Sequence, residues 1–286
     1  MPMKDFTGDF CIIEGRVEKT DALNRISLAA LSVCYEVIRV DEGIFLFLED
    51  HLSRLRDSIK NVDLNYYIDF KYIIDILLKL IINNNLHSGN IKLLVGFKPG
   101  IKKAPLIMAY PALHRYPTDK QYREGIKTSL FTEERERPNI KTIQPSLQEK
   151  CRNEITMRGV YEVLLVDHDG YVTEGSKSNV FFVTEGILCT PPANRVLKGI
   201  TREKIIGICR ESGVPLLEEN IPVKRLVRYS AAFLTGTSPK VLPVASIDAV
   251  SFTVEDPLVA KVKARYEELI GAYKVQIHQT GYRTDS

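Results

Sequence analysis

An amine, a carboxylate and two polar turns stand in order along this chain. Lys141 lies in the uncharged stretch Asn139–Ile143, where burial would favour the neutral amine that attacks a carbonyl. Glu174 ends a predicted strand, and the turn Gly199–Thr201 opens a predicted helix. The free amides and the positive end of a helix dipole suit a phosphate. An aldehyde cofactor with a phosphate, such as pyridoxal phosphate, needs these three groups from its protein.

Two further segments could hold a phosphate. Arg54 lies between core positions of the predicted helix that contains Asp50–Leu55, and its planar guanidinium suits phosphate. The turn Thr235–Ser238 follows a strand and offers amides and the hydroxyls of Thr237 and Ser238. Each residue also has an ordinary interpretation: a solvated lysine, a turn glutamate, a surface ion pair, a helix N-cap at Thr201 or a polar loop. Their order and spacing together favour the chemical interpretation.

The composition indicates an ordinary globular protein. The 286 residues are 44% hydrophobic and 26% charged, with a net charge of +3 and scattered basic residues. No nucleic-acid footprint is visible, and no apolar run approaches the roughly 20 residues of a membrane span. The N-terminus lacks a signal core, and the five cysteines are far apart, as expected for free thiols rather than a disulfide or metal framework. We expect a soluble cytoplasmic protein.

The order of elements predicts a mixed α/β (α+β) fold. Short strands open the chain, and Asp41–Gly43 indicates a hairpin turn. Two helices follow at about 49–61 and 69–84, and later helices are expected near 147–158, 201–212 and 255–273. We predict a small N-terminal α/β domain (1–117), a linker (118–121) and a larger C-terminal mixed-sheet, barrel-like domain (122–286). The chain contains no glycine-rich dinucleotide motif.

The motifs resemble those of the class IV, or fold type IV, pyridoxal-phosphate enzymes over nearly the whole chain. This family includes branched-chain aminotransferases, D-amino acid aminotransferases and aminodeoxychorismate lyases. The block from Glu174 to Arg202 is the most specific part of the resemblance. The other segments that resemble the family are Asp50–Leu55, Asn139–Thr142 and Thr235–Ser238.

The resemblance implies a role for each candidate residue. Lys141 would form the Schiff base and move the substrate proton, and Glu174 would pair with the pyridine nitrogen. The family's fold has two domains with the cofactor between them, usually in a homodimer. The residues implied to hold the phosphate are Arg54, Ile200, Thr201, Thr237 and Ser238.

The substrate is less clear from the sequence. Tyr35, Val37 and Arg39 alternate onto one strand face, as in the aminotransferases, and Arg39 could pair with a substrate carboxylate. Gly100–Lys103 replaces the Arg-x-His pair of the D-amino acid enzymes. Lys92 is similar to a lysine near the dicarboxylic substrate of the lyases.

We therefore expect amino transfer between an amino acid, of branched-chain type by preference, and a 2-oxo acid. The alternatives are 4-amino-4-deoxychorismate lyase and D-amino acid aminotransferase. Three departures from the family pattern bear on the substrate pocket: Ala30–Val33, Gln144–Ser146 and Lys240.

Overall fold

The computed structural model describes residues 5–62, 66–98 and 104–282. The chain divides by its internal contacts into two compact units, and each is mixed α/β, as predicted. In the described ranges no helix is both long and apolar enough to cross a membrane. Unit 1 comprises Met1–Arg115, Ile140–Ile143 and Ile270–Ser286, and unit 2 comprises Tyr116–Asn139 and Gln144–Leu269.

Unit 1 is a six-stranded sheet with two helices. The strand order is β2-β1-β6-β5-β3-β4, and all described pairings are antiparallel. Its elements are β1 (Phe10–Ile13), β2 (Arg16–Lys19), a 3₁₀ helix (Thr20–Arg25), β3 (Ser32–Asp41), β4 (Ile44–Phe45), α1 (Leu48–Asn61), α2 (Phe70–Asn83), β5 (Ser88–Phe97) and β6 (Leu106–Ala112).

Helical spacing of apolar residues places α1 on this sheet. Leu48, Leu52, Leu55 and Ile59 are fully buried and share a core cluster with α2 and one face of β3 and β5. This i, i+4, i+7, i+11 pattern forms one stripe along a helix. The predicted hairpin is confirmed, because Glu42 and Gly43 join β3 to β4 with positive φ angles.

Unit 2 is built on a ten-stranded sheet. The order is β12-β11-β10-β14-β15-β7-β8-β9-β13, with β16 paired to β15, and parallel and antiparallel pairs are mixed. Its elements are α3 (Asp119–Glu124), β7 (Ile126–Thr132), α4 (Pro145–Arg158), β8 (Glu162–Val166), β9 (Tyr171–Gly175), β10 (Asn179–Thr184), β11 (Ile187–Thr190), α5 (Ile200–Glu211), β12 (Leu216–Glu218), β13 (Ile221–Pro222), a 3₁₀ helix (Val223–Arg228), β14 (Ala231–Gly236), β15 (Lys240–Ile247) and β16 (Val250–Ser251). The last helix, α6 (Pro257–Thr280), belongs to unit 2 as far as Leu269 and to unit 1 from Ile270.

Some local expectations were wrong. The predicted linker contains the start of α3, because Thr118 and Gln121 form a capping box. The last helix continues to Thr280, seven residues beyond its expected end. The interpretation of Thr201 as an N-cap is also wrong, because α5 begins at Ile200 and Gly199 is its N-cap. Gly100–Lys103 lies outside the described residues.

The two units are assembled from separate stretches of chain. Ile140–Ile143 groups with unit 1 because its backbone pairs with β3: Tyr35 donates to the carbonyl of Lys141 at 3.1 Å, and Ile143 donates to that of Val33 at 3.0 Å. The sequence-based division used two continuous segments, since a short pairing across a hundred residues leaves no local signal.

Candidate active site

Lys141 has a fixed backbone in unit 1. Its amide donates to Oγ of Ser58, a buried residue of α1, at 3.2 Å, and its carbonyl accepts from Tyr35. Its Nζ lies 4.9 Å from the centroid of the Tyr35 ring. The lysine is half-buried and follows the buried Ile140. A reactive amine needs such a backbone, because a side chain that reacts must start from a defined position.

The predicted alternation along β3 is confirmed. Tyr35, Val37 and Arg39 are half-buried, whereas the residues between them are buried. Lys92 of β5 stands opposite Val37 in the register, and its Nζ lies 5.5 Å from the Tyr35 ring centroid. The amino groups of Lys92 and Lys141 therefore both approach the Tyr35 ring. The substrate role of Arg39 stays a prediction.

Arg54 belongs to a buried ionic group on the other face of β3. Its Nε and Nη2 donate to Glu36 at 2.8 and 2.6 Å, and His51 Nδ1 lies 2.7 Å from the same carboxylate. Burial alone would raise the pKa of Glu36, but Arg54 and the hydrogen bonds from Arg54 and His51 lower it to about 2. Burial lowers the pKa of His51. Arg54 is thus oriented by an ionised carboxylate.

Glu174 is held from two sides in unit 2. It is 3% exposed, and its Oε1 accepts from Nε of Arg135 at 2.8 Å, while Oε2 accepts from the amide of Leu197 at 3.2 Å. Arg135 also donates to the carbonyl of Ser176 at 3.3 Å. The guanidinium thus supplies the counter-charge for this buried carboxylate. Sequence reasoning missed Arg135.

A second buried carboxylate shapes the turn after Glu174. Glu162 accepts from the amide of Lys177 at 2.5 Å and from the hydroxyls of Ser176 and Ser178 at 3.1 Å each. Burial raises the pKa of Glu162 against the effect of these bonds. A side chain on Gly175 would bring its Cβ within 2.7 Å of Glu162. The turn therefore closes tightly around this carboxyl group.

The start of α5 offers backbone amides. Gly199 is the N-cap and supplies no side-chain oxygen, so the first amides of the helix lack a side-chain cap. Ile200 and Thr201 are both buried, and the Thr201 hydroxyl lies 3.3 Å from that of Tyr266. A residue with a side chain would not fit at the N-cap, because a Cβ at Gly199 would stand 2.1 Å from Oδ1 of Asn179.

Asn179 links the two predicted phosphate turns. It is paired with Thr235 in the β10–β14 ladder, and its Nδ2 donates to the carbonyl of Leu197 at 2.8 Å. Because the amide of Leu197 binds Glu174, one short stretch of backbone connects the carboxylate to the start of α5. Thr237 and Ser238 lie in the turn that follows β14. Unit 2 therefore groups Glu174 with both turns.

The predicted residues fall into two sets. Lys141, Tyr35, Lys92, Arg39 and Arg54 belong to unit 1, and the others belong to unit 2. Within unit 1, Lys141 contacts α1 through Ser58, which lies one turn after Arg54 on that helix. The sequence missed the residues that orient these groups, because their partners are distant in the chain: Glu36, Asn179, Glu162 and Arg135.

Comparison with known sequences establishes the class of protein. A sequence model described as amino-transferase class IV matches residues 33–247. The chain belongs to the class IV aminotransferase family, an enzyme family. A putative branched-chain-amino-acid aminotransferase from Methanocaldococcus jannaschii is 27% identical over 256 residues, 85% of this chain and 89% of that protein. A D-alanine aminotransferase from Bacillus licheniformis is 29% identical over 223 residues, covering 75% and 78%.

Solved structures share the fold. Escherichia coli branched-chain amino acid aminotransferase has a TM-score of 0.81 at 23% identity, covering 92% of this chain and 95% of that one. The PLP form of the Thermobaculum terrenum enzyme has a TM-score of 0.77 at 21% identity, covering 94% and 95%. A putative 4-amino-4-deoxychorismate lyase from Legionella pneumophila has a TM-score of 0.75 at 22% identity, covering 82% and 90%. The fold type IV architecture expected from the motifs is thereby confirmed.

Proposed function

We propose that this protein is a pyridoxal-phosphate-dependent aminotransferase that exchanges an amino group between an amino acid of branched-chain type and a 2-oxo acid. The family and the Methanocaldococcus relative support amino transfer. The observation that carries the proposal is the grouping of buried Glu174 with the start of α5 and with the turn after β14.

The residues of unit 2 fit the cofactor by their chemistry. Oγ1 of Thr235 is buried and has no hydrogen-bond partner among the described residues, and it lies on the strand that leads into the Thr237 turn. A buried hydroxyl without a partner is costly, so it marks a position where a polar ligand group is favourable. The start of α5 lacks a side-chain cap, as a phosphate site requires.

We assign the roles as follows. Amides of Ile200 and Thr201, the hydroxyls of Thr237 and Ser238, and the guanidinium of Arg54 would hold the phosphate. Glu174 would face the pyridine nitrogen, and Arg135 would hold that carboxylate in place. When bound, pyridoxal phosphate supplies a ring that withdraws electrons from substrate Cα.

Lys141 is the proposed acid and base. Its Nζ would attach the cofactor, would be released when the substrate amine takes its place, and would then accept the proton from Cα of the substrate. The backbone bonds to Ser58 and Tyr35 hold the lysine at one position, and the Tyr35 ring limits the directions that Nζ can take. Tyr35 and Arg39 would contact the substrate, with Arg39 pairing to its carboxylate.

A second candidate is 4-amino-4-deoxychorismate lyase. The observation that favours it is the position of Lys92, whose ammonium lies over the same Tyr35 ring as that of Lys141. A cation next to the reactive amine would bind a second substrate carboxylate. D-amino acid transfer is a third possibility, which the Bacillus relative supports. We also propose a homodimer and a cytoplasmic location.

Absorbance spectroscopy tests the proposal. The purified protein, loaded with pyridoxal phosphate, should show a band near the visible edge that L-leucine bleaches. Bleaching by D-alanine alone would indicate the D-amino acid enzyme, and a band that no amino acid bleaches would favour the lyase. The Lys141→Ala variant should lose the band, whereas Lys71→Ala, on the exposed side of α2, should keep it. Absence of any band would refute the cofactor assignment.

A further inference from the structure

Lys92 is paired with a carboxylate from the start of the chain. Its Nζ lies 2.6 Å from Oδ2 of Asp5, and the Tyr110 hydroxyl donates to Oδ1 of Asp5 at 3.0 Å. The Lys92 side chain is 17% exposed and that of Asp5 is 45% exposed. Burial would raise the pKa of Asp5, but Lys92 and the two hydrogen bonds lower it. Asp5 is therefore ionised at neutral pH.

Backbone bonds fix the position of Asp5. Its carbonyl accepts from the amide of Leu113 at 2.7 Å, and the Thr7 amide donates to the carbonyl of Pro111 at 2.7 Å. Phe6 between them forms a β-bridge with Ala112. These bonds extend the pairing of β6, so the Asp5 side chain starts from an ordered backbone. The sheet therefore fixes the backbone position from which the Asp5 side chain reaches Lys92.

This ion pair adjoins the reactive lysine. Lys92 Nζ and Lys141 Nζ lie 5.5 and 4.9 Å from the centroid of the Tyr35 ring. Tyr35 and Lys92 lie on the same face of the sheet, because Lys92 pairs with Val37, two residues after Tyr35 on β3. In the proposed site, a substrate held at Lys141 would therefore share the Tyr35 ring with Lys92. A ligand carboxylate that binds Lys92 must compete with Asp5, which is present at a high effective concentration because it belongs to the same chain.

We propose that Asp5 is a specificity-determining residue that occupies Lys92 and selects against substrates with a second carboxylate. This inference rests on the proposed function, because it concerns the substrate of the same site. An apolar amino acid leaves the Asp5–Lys92 pair intact. A dicarboxylic amino acid must either displace Asp5 or place its second carboxylate beside another carboxylate, and like charges at close range repel.

The test compares glutamate with leucine. Asp5→Asn should raise the ratio of kcat/KM for L-glutamate to kcat/KM for L-leucine by about tenfold, the factor that corresponds to 1.4 kcal/mol. Asp9→Asn removes an equal charge from an exposed position nearby and should leave the ratio unchanged. In the double variant of Asp5→Asn and Lys92→Met the ratio should return towards that of the wild type.

A binding measurement separates this inference from the proposed function. Glutarate should raise the melting temperature of Asp5→Asn more than that of the wild type, whereas pentanoate should affect both equally. If no amino acid bleaches the wild type, the proposed function fails, yet the glutarate comparison still decides the role of Asp5.

Equal ratios in Asp5→Asn and the wild type, or an equal rise in Asp9→Asn, would overturn the inference. If Asp5→Asn does not fold, Lys92→Met replaces it. That variant leaves Asp5 uncompensated, so its ratio of glutamate to leucine turnover should fall. An unchanged ratio in Lys92→Met would also overturn the inference.

Discussion

Removing Arg54 should destabilise the protein strongly, because it leaves a buried charge without its counter-ion. Glu36 has no exposed surface and receives two hydrogen bonds from Arg54. Loss of one partner from such a buried pair costs about 3–5 kcal/mol. We expect Arg54→Met to lower the free energy of unfolding by this amount at pH 7, measured by urea denaturation without added cofactor.

The pH dependence gives a second estimate of the free energy that the ionised Glu36 contributes to stability. The pKa of Glu36 is lowered from 4.5 to about 2, which corresponds to at most about 3 kcal/mol of stability. In the wild type this contribution is present above pH 4.5 and is lost as the pH falls towards 2. In Arg54→Met, burial without the guanidinium should raise the pKa of Glu36. The deficit of the variant should therefore shrink between pH 7 and pH 4.

Two controls isolate the ion pair. Arg56→Met changes the same residue type on the same helix, where the side chain is 31% exposed and lies 3.8 Å from Asp57. It should cost about 1 kcal/mol or less, because Asp57 is 65% exposed and stays solvated without its partner. Combining Arg54→Met with Glu36→Gln should recover part of the loss. The reasoning is refuted if Arg54→Met costs no more than Arg56→Met, or if its deficit grows as the pH falls.

Two further predictions concern unit 2. Arg135→Met should weaken pyridoxal phosphate binding at least about tenfold in a spectroscopic titration, because buried Glu174 loses its cation; an affinity equal to that of Arg137→Met would contradict this. Gly199→Ala should cost about 1–3 kcal/mol in thermal unfolding, because its Cβ would meet a side-chain oxygen at 2.1 Å. Gly207→Ala, in open space on α5, should be neutral or stabilising, and equal effects of the two alanines would count against the steric argument.

Local patterns predicted the elements of this fold well. The apolar stripe of α1 and the glycine in the hairpin after β3 are properties of consecutive residues, so the sequence reveals them directly. The helix that follows Gly199 could be recognised in the same way, to within one residue of its start. Such signals need no knowledge of the rest of the chain.

The orientation of the site residues could not be predicted in this way. Glu174 is bound by Arg135, 39 positions earlier, and Lys92 by Asp5, 87 positions earlier. Ion pairs of this kind depend on which strands become neighbours, and charge alone selects no partner among 75 charged residues. The motifs therefore predicted which groups react, whereas the partners of those groups emerged only from the fold.

The turn after Glu174 shows that the polar residues of a specific motif can have a structural role. The stretch Gly175–Asn179 belongs to the most specific part of the resemblance, the block from Glu174 to Arg202, yet Ser176 and Ser178 direct their hydroxyls to Glu162. In the proposed site these residues would act on the cofactor only indirectly, since they fix the end of β9 from which Glu174 projects. A motif of this kind is specific because one carboxylate, here Glu174, must be held in a defined position. Its specificity comes from the close packing of a turn around a buried acid, where even a single Cβ at Gly175 has no room.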